Sequence, residues 1–242
     1  MKQRTKDLIL IYTCFVIFAI VIFFLINAIQ TFKQSQQPVL QEQTEEMPVI
    51  YDSSVKRPAA NVEVVEQLPE FPSGDEFAAA VSFLRAYGYD LNFYSLLNDM
   101  NYSDTNYTEC YVGDAKTEQG FCYAPALVLC MNNFLSAKNA DIRTQNFSEM
   151  TFEELKEYVN SGQPLIVWYT SDGAMPQYEP KNDDNYSQRY TNAQVIVVSS
   201  IGDNKVHAAD SLNGELEIPE HTFQQIWQAC GSQCIGVYYV ER

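Results

Sequence analysis

The chain has 242 residues and carries 31 acidic against 15 basic side chains, which gives a formal net charge of −16. A surface this acidic repels phosphate backbones, so nucleic acid is excluded as an expected partner. The length accommodates a membrane segment, a spacer and one globular domain of ordinary size, whereas two folded domains would be crowded.

The N-terminal part has the pattern of a membrane-spanning helix. Residues 8–29 contain neither a charge nor a proline and match the ~20 residues that cross a bilayer. Lys2, Arg4 and Lys6 precede this stretch and only Lys33 follows closely, so the positive-inside rule places the N-terminus in the cytoplasm. A cleaved signal peptide is the alternative, but its apolar region is usually only about 7–15 residues long. We therefore predict a retained single-pass anchor in the cell membrane.

A polar segment separates this anchor from the folded part. Residues 30–61 are rich in Gln, Glu, Ser and Pro and have few large apolar residues until their end, the composition of a spacer. We predict a cytoplasmic tail at 1–7, a transmembrane helix at 8–29, an extracytoplasmic spacer at 30–61 and one folded domain at 62–242.

The folded domain begins with helices. After "SGDE", apolar residues recur at helical spacing from Asp75 until Gly88 ends the run. Further helices are predicted over 91–100, 121–139 and 151–162. The last of these starts with a capping box in which Thr151 is the N-cap and Glu154 the third residue.

Strands dominate the second half. Short apolar and β-branched stretches predict strands over 163–170, 193–202 and 205–211, the last two joined by the turn "GDNK". A helix over 219–230 and a strand over 235–241 complete the chain. Helices followed by mostly antiparallel strands indicate an α+β fold and not an alternating, doubly wound one.

Five cysteines lie beyond the predicted anchor, where disulfides can persist. Cys110 with Cys122 and Cys230 with Cys234 enclose the short loops and are the candidate disulfides, although spacing leaves the connectivity open. An odd number of cysteines leaves at least one unpaired or paired between chains.

Metal and cofactor signals are missing from the sequence. It contains neither a CxxC motif nor a Cys/His cluster, and His207 and His221 are isolated from the cysteines. We therefore predict neither a structural zinc site nor a cofactor.

The start of the first helix has the character of a nucleophile site. A cysteine nucleophile commonly lies at the N-terminus of a buried helix, where the helix dipole and free N–H groups stabilise the thiolate. The base must come from a different element, and a third group must orient that base. The helix after "QLPEFPSGDE" and the strand pair within 193–211 supply these elements.

Four motifs now suggest a family. "QLPEFPSGDE", "YVGD…GFCYAPAL", "GQPLIVWYT" and "QVIVVSSIGD…AADSLNGE" occur in register. Over about residues 64–240 the chain resembles the bacteriocin-processing-type (double-glycine) cysteine peptidase-like family, which is found at bacterial surfaces and beside peptide exporters. The resemblance implies a papain-like fold, with helices packed on a mostly antiparallel sheet.

The same resemblance identifies four site positions and a degenerate active site. Asp75 stands where the family has its nucleophilic cysteine, and Gln67 matches the glutamine of the oxyanion hole. Asp210 matches the orienting aspartate, and counting back without a gap puts Gln194 in the position of the histidine base. A carboxylate is a weak acyl nucleophile, and a glutamine amide takes up no proton near pH 7. We therefore expect no cysteine-peptidase activity.

The leading hypothesis is a membrane-anchored binding or regulatory protein at the cell surface. The resemblance implies a papain-type cleft, whose ligand would be an extended peptide or protein segment. The aromatic residues considered for this cleft, each more strongly expected in the core, are Trp168, Tyr169, Tyr123 and Phe71. The acidic and polar loop over 171–192 is expected to border or cover the site.

Three alternatives remain open at this point. An active hydrolase could use Asp75 paired with Asp210, or Cys122 with His207 or His221 as the base. A cell-envelope spacer without a pocket function is the third. Asp75 also fits a purely structural role, because an acidic first-turn residue stabilises a helix by ~0.3–1 kcal/mol.

Overall fold

The computed structural model describes residues 61–179 and 188–240. These residues belong to one compact unit, Tyr51–Arg242. The predicted tail and transmembrane helix, and the spacer up to residue 60, lie outside the described residues. Within the two described ranges, every helix is too short or too polar to cross a bilayer.

The described residues form five α-helices and eight β-strands. The helices are α1 Asp75–Ala86, α2 Phe93–Leu97, α3 Ala124–Ala137, α4 Phe152–Asn160 and α5 Glu220–Ala229. The strands are β1 Tyr102–Ser103, β2 Tyr111–Val112, β3 Ile142–Asn146, β4 Leu165–Thr170, β5 Ala193–Gly202, β6 Lys205–Asp210, β7 Gly214–Pro219 and β8 Cys234–Tyr239.

Six strands make one antiparallel sheet in the order β3-β8-β4-β5-β6-β7. The short strands β1 and β2 pair separately and in parallel. This architecture confirms the predicted α+β class with a mostly antiparallel sheet. The two outer strands, β3 and β7, were not predicted from the sequence.

Local sequence signals explain where the helices begin. α4 starts with the predicted capping box, in which the Thr151 side chain accepts the Glu154 N–H and the Glu154 carboxylate accepts the Thr151 N–H. Pro125 lies in the first turn of α3, where a missing N–H costs no helical hydrogen bond.

Helix α1 is embedded in the domain and positions the site. Every residue of α1 except Arg85 is buried, and the small side chains of Ala78, Ala79 and Ala80 permit close packing against β5, β4 and β6. Because β5 and β6 are antiparallel, the start of β5 and the end of β6 lie at one end of the sheet. The N-terminus of α1 meets them there.

The four aromatic residues considered for the cleft belong to the core. Trp168 is 0% exposed and Tyr169, Tyr123 and Phe71 are each no more than 6% exposed. The indole N–H of Trp168 donates to the Cys122 carbonyl oxygen at 2.9 Å, which ties β4 to the start of α3. The core placement expected for these residues is therefore correct.

Candidate functional site

Asp75 is the first residue of α1, and its carboxylate caps an unpaired strand amide. Its Oδ2 accepts the Val195 N–H at 2.9 Å, and the side chain is buried. The pairing of β5 with β6 begins only at Ile196, which lies opposite Asp210. The Val195 N–H therefore lies beyond the end of β6, and Asp75 supplies the acceptor that a longer strand would have provided.

Gln194, at the start of β5, is bonded to Asp210 across the sheet. Its side-chain amide donates to Asp210 Oδ1 at 2.7 Å and to the Ser211 hydroxyl at 3.1 Å. The two side chains share one face because Asp210 is opposite Ile196, two residues from Gln194. The structure thus brings together the residues that the resemblance placed at the base and orienting positions.

Both oxygens of the Asp210 carboxylate are occupied. Besides Gln194, Oδ1 accepts the Leu212 N–H at 2.8 Å, and Oδ2 accepts the Asn213 side-chain amide at 2.9 Å. Asp210 is 1% exposed, so these donors replace the water that a buried carboxylate has lost. These hydrogen bonds fix the orientation of the Asp210 carboxylate, and both of its oxygens accept from neighbouring groups of the protein.

Gln67 completes a continuous hydrogen-bonded chain through Ser211. The Ser211 hydroxyl donates to Gln67 Oε1 and accepts from Gln194. The Gln67 amide donates to the Pro72 carbonyl oxygen at 2.9 Å, so one of its two hydrogens is used inside the protein. Ser211 was not identified from the sequence, and its position directly after Asp210 is the only signal that could have indicated it.

Glu76 is a third buried carboxyl group, and the sequence did not identify it as a site residue. It is 0% exposed, its Oε1 accepts the Cys122 N–H at 2.8 Å, and its Oε2 has no hydrogen-bond partner in the described part of the chain. Burial, followed by the charge of Asp75, raises the pKa of Glu76 well above its ordinary range. Burial of this carboxyl group therefore favours its protonated form.

Burial also raises the pKa of Asp75, although hydrogen bonds and a nearby cation partly oppose this rise. Desolvation raises the pKa of Asp75 to about 7, and the Asp210 charge adds to the rise. The Val195 N–H and the Arg189 guanidinium favour the ionised form and limit the shift. The carboxyl group at the nucleophile position thus changes its charge near neutral pH.

Arg189 brings a cation to this acidic site. Its guanidinium carbon lies 6.0 Å from the centre of the Phe121 ring, and its charge lowers the pKa of both Asp75 and Glu76. Its Nε is buried and has no hydrogen-bond partner among the described residues. Arg189 was not identified from the sequence, because it is one polar residue within a long polar loop.

The described parts of the 171–192 loop pack beside the site. Tyr178 and Tyr190 form an isolated antiparallel bridge, and the Glu179 N–H donates to the Arg189 carbonyl oxygen at 2.9 Å. Tyr190 is 0% exposed, and the Tyr123 hydroxyl donates to the Gln188 carbonyl oxygen. The expectation that this loop borders the site agrees with the position of Arg189.

The alternative nucleophile Cys122 lies in the core. It is 0% exposed, and burial together with the Glu76 charge raises the pKa of its thiol well above the ordinary value. His207 and Asp210 are three positions apart on β6, so their side chains lie on opposite faces, and the Nδ1 of His207 lies 3.9 Å from Glu217 Oε1. His221, exposed at the start of α5, contacts the Thr222 hydroxyl. The structure therefore does not assemble a Cys122 site.

The cysteines form neither candidate disulfide. The five cysteines of the described residues are free thiols, so Cys110 is not bonded to Cys122 and Cys230 is not bonded to Cys234. Within the described ranges, no group of three or more His, Cys, Asp or Glu side chains could hold a metal ion.

Comparisons with known proteins identify a family from the sequence and a similar fold from a solved structure. The sequence profile of the Peptidase_C39 like family matches residues 59–235. A solved structure from Bacillus anthracis, described as a C39-like peptidase, is 22% identical with a TM-score of 0.66, over 75% of this chain and 96% of that one. No curated protein sequence matches the chain.

Two further solved structures are more distant. A double glycine motif protease from an AMS/PCAT transporter, in complex with the leader peptide, is 14% identical with a TM-score of 0.45, over 77% of this chain and 97% of that one. The peptidase domain of Streptococcus ComA, a bifunctional ABC transporter, is 14% identical with a TM-score of 0.44, over 75% of this chain and 100% of that one.

Proposed function

Because the chain belongs to the Peptidase_C39 like family, we propose that it is a peptidase-like protein without cysteine-peptidase activity. In this proposal, residues 8–29 anchor it in the cell membrane, and its folded domain binds an extended peptide or protein segment outside the cytoplasm. The carrying observation is the hydrogen bond from the Gln194 amide to Asp210, which gives the base position a group without basicity.

The chain lacks both the nucleophile and the general base of a cysteine peptidase. A working site needs a nucleophile and a neighbouring base that takes up its proton. Here the Asp75 carboxylate is engaged with the Val195 N–H, and the Gln194 side chain donates to Asp210 and Ser211. Since loss of either partner already removes most of the rate, the combined loss leaves only binding and any remaining oxyanion donors.

The surroundings of the site support binding. Leu68 and Leu212 directly follow Gln67 and Ser211, which are hydrogen-bonded to each other, and they are 52% and 41% exposed. A peptide bound here would contact the exposed apolar side chains and lie against the rigid, hydrogen-bonded polar network beneath them. This network is rigid because hydrogen bonds link its members, which are Gln67, Ser211, Gln194 and Asp210.

An acid-pair hydrolase is the less favoured candidate. Asp75 has a pKa of about 7 and senses the charge of Asp210, properties that suit a general acid or base. However, both oxygens of Asp210 already accept hydrogen bonds from neighbouring groups. A second carboxylate committed in this way is poorly placed to activate a water molecule.

Peptide hydrolysis tests the proposed inactivity. The full-length chain, Asp75→Ala and Cys122→Ala are incubated with a diverse peptide mixture, and products are detected by mass spectrometry. We expect no cleavage above the blank in any sample. Cleavage that disappears in one variant would identify that residue as the nucleophile and overturn the proposal.

Peptide binding and location need separate measurements. Titration calorimetry with peptides from exported proteins should find sequences that bind more tightly than their scrambled controls, and equal affinities would reject the binding role. External protease should remove a C-terminal tag from intact cells, whereas deletion of residues 1–29 should release the protein from the membrane fraction. Protection of the tag would contradict the extracytoplasmic location.

A further inference from the structure

The two outer strands of the six-stranded sheet differ in how their free edges are covered. β3 pairs with β8 and β7 pairs with β6, so each of them has a second edge without a neighbouring strand among the described residues. Backbone N–H and C=O groups on such an edge can pair with another extended chain, and proteins commonly block them. A partner strand can therefore bind only at an edge that is left open.

Side chains of the protein itself block the edge of β3. A backbone hydrogen bond between the residues just before β3 and just after β8 fixes which groups face outward, and by alternation these are the groups of Ile142 and Thr144. The Asn132 side chain accepts the Thr144 N–H at 2.8 Å and donates to the Thr144 carbonyl oxygen at 2.9 Å. The Arg143 guanidinium donates to the Ile142 carbonyl oxygen at 2.7 Å. The β3 edge is thus already occupied.

The edge of β7 has no such cover. The Glu220 N–H donates to the Asn204 carbonyl oxygen at 2.9 Å, just beyond the ladder between β6 and β7. By alternation, the backbone groups of Glu215 and Glu217 face away from β6. Neither of these two N–H groups has an acceptor among the described residues. Pro219 has no N–H, so the open donors of this edge are those of the two glutamates.

The side chains of β7 indicate the chemistry of a strand that fits this edge. Glu215 and Glu217 are exposed on one face of the sheet, and Leu216 and Ile218 are half-buried on the other. Lys205 bonds the Glu217 carboxylate, whereas Glu215 forms no ion pair within the described part of the chain. Because the chain has a formal net charge of −16, the edge attracts a basic strand.

A second copy of the chain does not fit this edge. Two β7 edges that pair antiparallel place their outward-facing residues opposite each other, so that each glutamate meets a glutamate or Pro219. Like charges directly opposite each other destabilise a ladder, and proline supplies no N–H. The same geometry stabilises a strand that places lysine or arginine opposite Glu215 and Glu217.

We propose that the outer edge of β7 binds an extended protein segment in which lysine or arginine alternates with apolar residues. The segment adds a strand to the sheet, with its backbone hydrogen-bonded to the two outward-facing glutamates and its cations beside their carboxylates. Its apolar side chains lie beside Leu216 and Ile218. This surface is separate from the hydrogen-bonded network of the peptide site, so the inference goes beyond the proposed function and does not depend on it.

Binding of a defined peptide tests this surface. The full-length chain in mild detergent is titrated by calorimetry with a capped peptide that alternates lysine and valine, and with a matched peptide that alternates glutamate and valine. We expect only the lysine peptide to bind. At about ten times its Kd, it should slow amide hydrogen exchange in residues 214–219 by about tenfold. Failure of the lysine peptide to bind, or equal binding of both peptides, would overturn the proposal.

Variants of β7 separate backbone pairing from attraction between charges. Glu217→Gln removes the charge and keeps the outward N–H, whereas Glu217→Pro also removes that N–H. The proline variant should bind the lysine peptide about tenfold more weakly than the glutamine variant. Glu215→Lys/Glu217→Lys should lose the lysine peptide and gain the glutamate peptide, and this gain requires a folded edge.

The double variant Asp104→Lys/Glu118→Lys is the matched control. It makes the same change in net charge at exposed residues around β1 and β2, and it should leave binding of the lysine peptide unchanged. An equal loss of binding in this control would show a general charge effect and overturn the proposal. Equal binding by Glu217→Pro and Glu217→Gln would place the peptide elsewhere, including at the proposed peptide site, and would overturn it as well.

Discussion

The Gln194 amide donates a 2.7 Å hydrogen bond to Asp210 Oδ1. In a working triad, the orienting aspartate receives a hydrogen bond from the imidazole of the base, whose other nitrogen then takes up a proton. Gln194 reproduces the first of these interactions and lacks the second. Its side chain therefore preserves the geometry around Asp210 while removing the proton acceptor.

This preserved geometry predicts that nucleophile chemistry can be restored. In the double variant Asp75→Cys/Gln194→His, Asp210 can hold the introduced imidazole, and the introduced thiol begins α1, where the helix dipole favours a thiolate. We expect alkylation of that thiol by iodoacetamide near pH 6.5 to be about tenfold faster than in Asp75→Cys alone. Mass spectrometry of the peptide containing residue 75 gives both rates.

The single variant Asp75→Cys supplies the matched control, because it has the same thiol without an imidazole. Equal alkylation rates in the two variants would show that position 194 does not reach position 75 in a productive geometry. In that case the assignment of Gln194 to the base position would be wrong.

Removal of the Gln194 side chain should destabilise the domain. Gln194→Ala deletes the donor to Asp210 and the donor to Ser211, leaving buried groups with fewer partners. We expect a loss of about 1–3 kcal/mol in the free energy of unfolding, measured by urea denaturation. Asn213→Ala is the comparison variant, because it removes one donor to Asp210 from an exposed side chain and should cost less.

The spacing of apolar residues along the sequence predicted much of the fold, because it indicates which face of a helix or strand is buried. α1, α3 and the strands β4 and β5 combine strong apolar patterns with clear end signals, and the structure contains them. β3, whose sequence is "IRTQN", is short and polar, and β7 has β6 as its one neighbour among the described strands. Such outer strands are defined by long-range partners, which a local pattern does not reveal.

The sequence predicted which residues form the candidate site, but not the hydrogen bonds between their side chains. The family resemblance identified Gln67, Asp75, Gln194 and Asp210, whose side chains the structure places at one end of the sheet. The linking role of Ser211 depends on the register between β5 and the turn after β6. The burial of Glu76 depends on the packing of α1. Neither can be inferred from residue types along the chain.

Cys122 should be unreactive in the folded protein. It is 0% exposed and its thiol pKa is raised by burial, so little thiolate is present or accessible near pH 7. We expect labelling by a maleimide in the native protein to be at least about a hundredfold slower than in urea. Cys110, which is partly exposed, is the internal control and should label faster. Native labelling of Cys122 faster than a model thiol would revive it as a candidate nucleophile.

Asp75→Asn should change the pH dependence of stability in a defined direction. The folded-state pKa of Asp75 is about 7, above its ordinary value of 3.8, so the folded protein holds this proton more tightly than the unfolded chain. The resulting stabilisation is complete below about pH 4 and is lost as the pH rises to about 7. Asparagine keeps an acceptor for the Val195 N–H and does not titrate.

The variant should therefore gain stability relative to the wild type as the pH rises from about 4 to about 7. A shift of this size corresponds to an upper limit of about 4 kcal/mol. Urea denaturation of both proteins across this range measures the difference. Asp172→Asn is the control: hydrogen bonds lower the pKa of this exposed carboxylate, so its contribution changes only at lower pH, and its difference from the wild type should stay nearly constant above about pH 5. A constant difference between Asp75→Asn and the wild type would show that Asp75 does not carry the raised pKa.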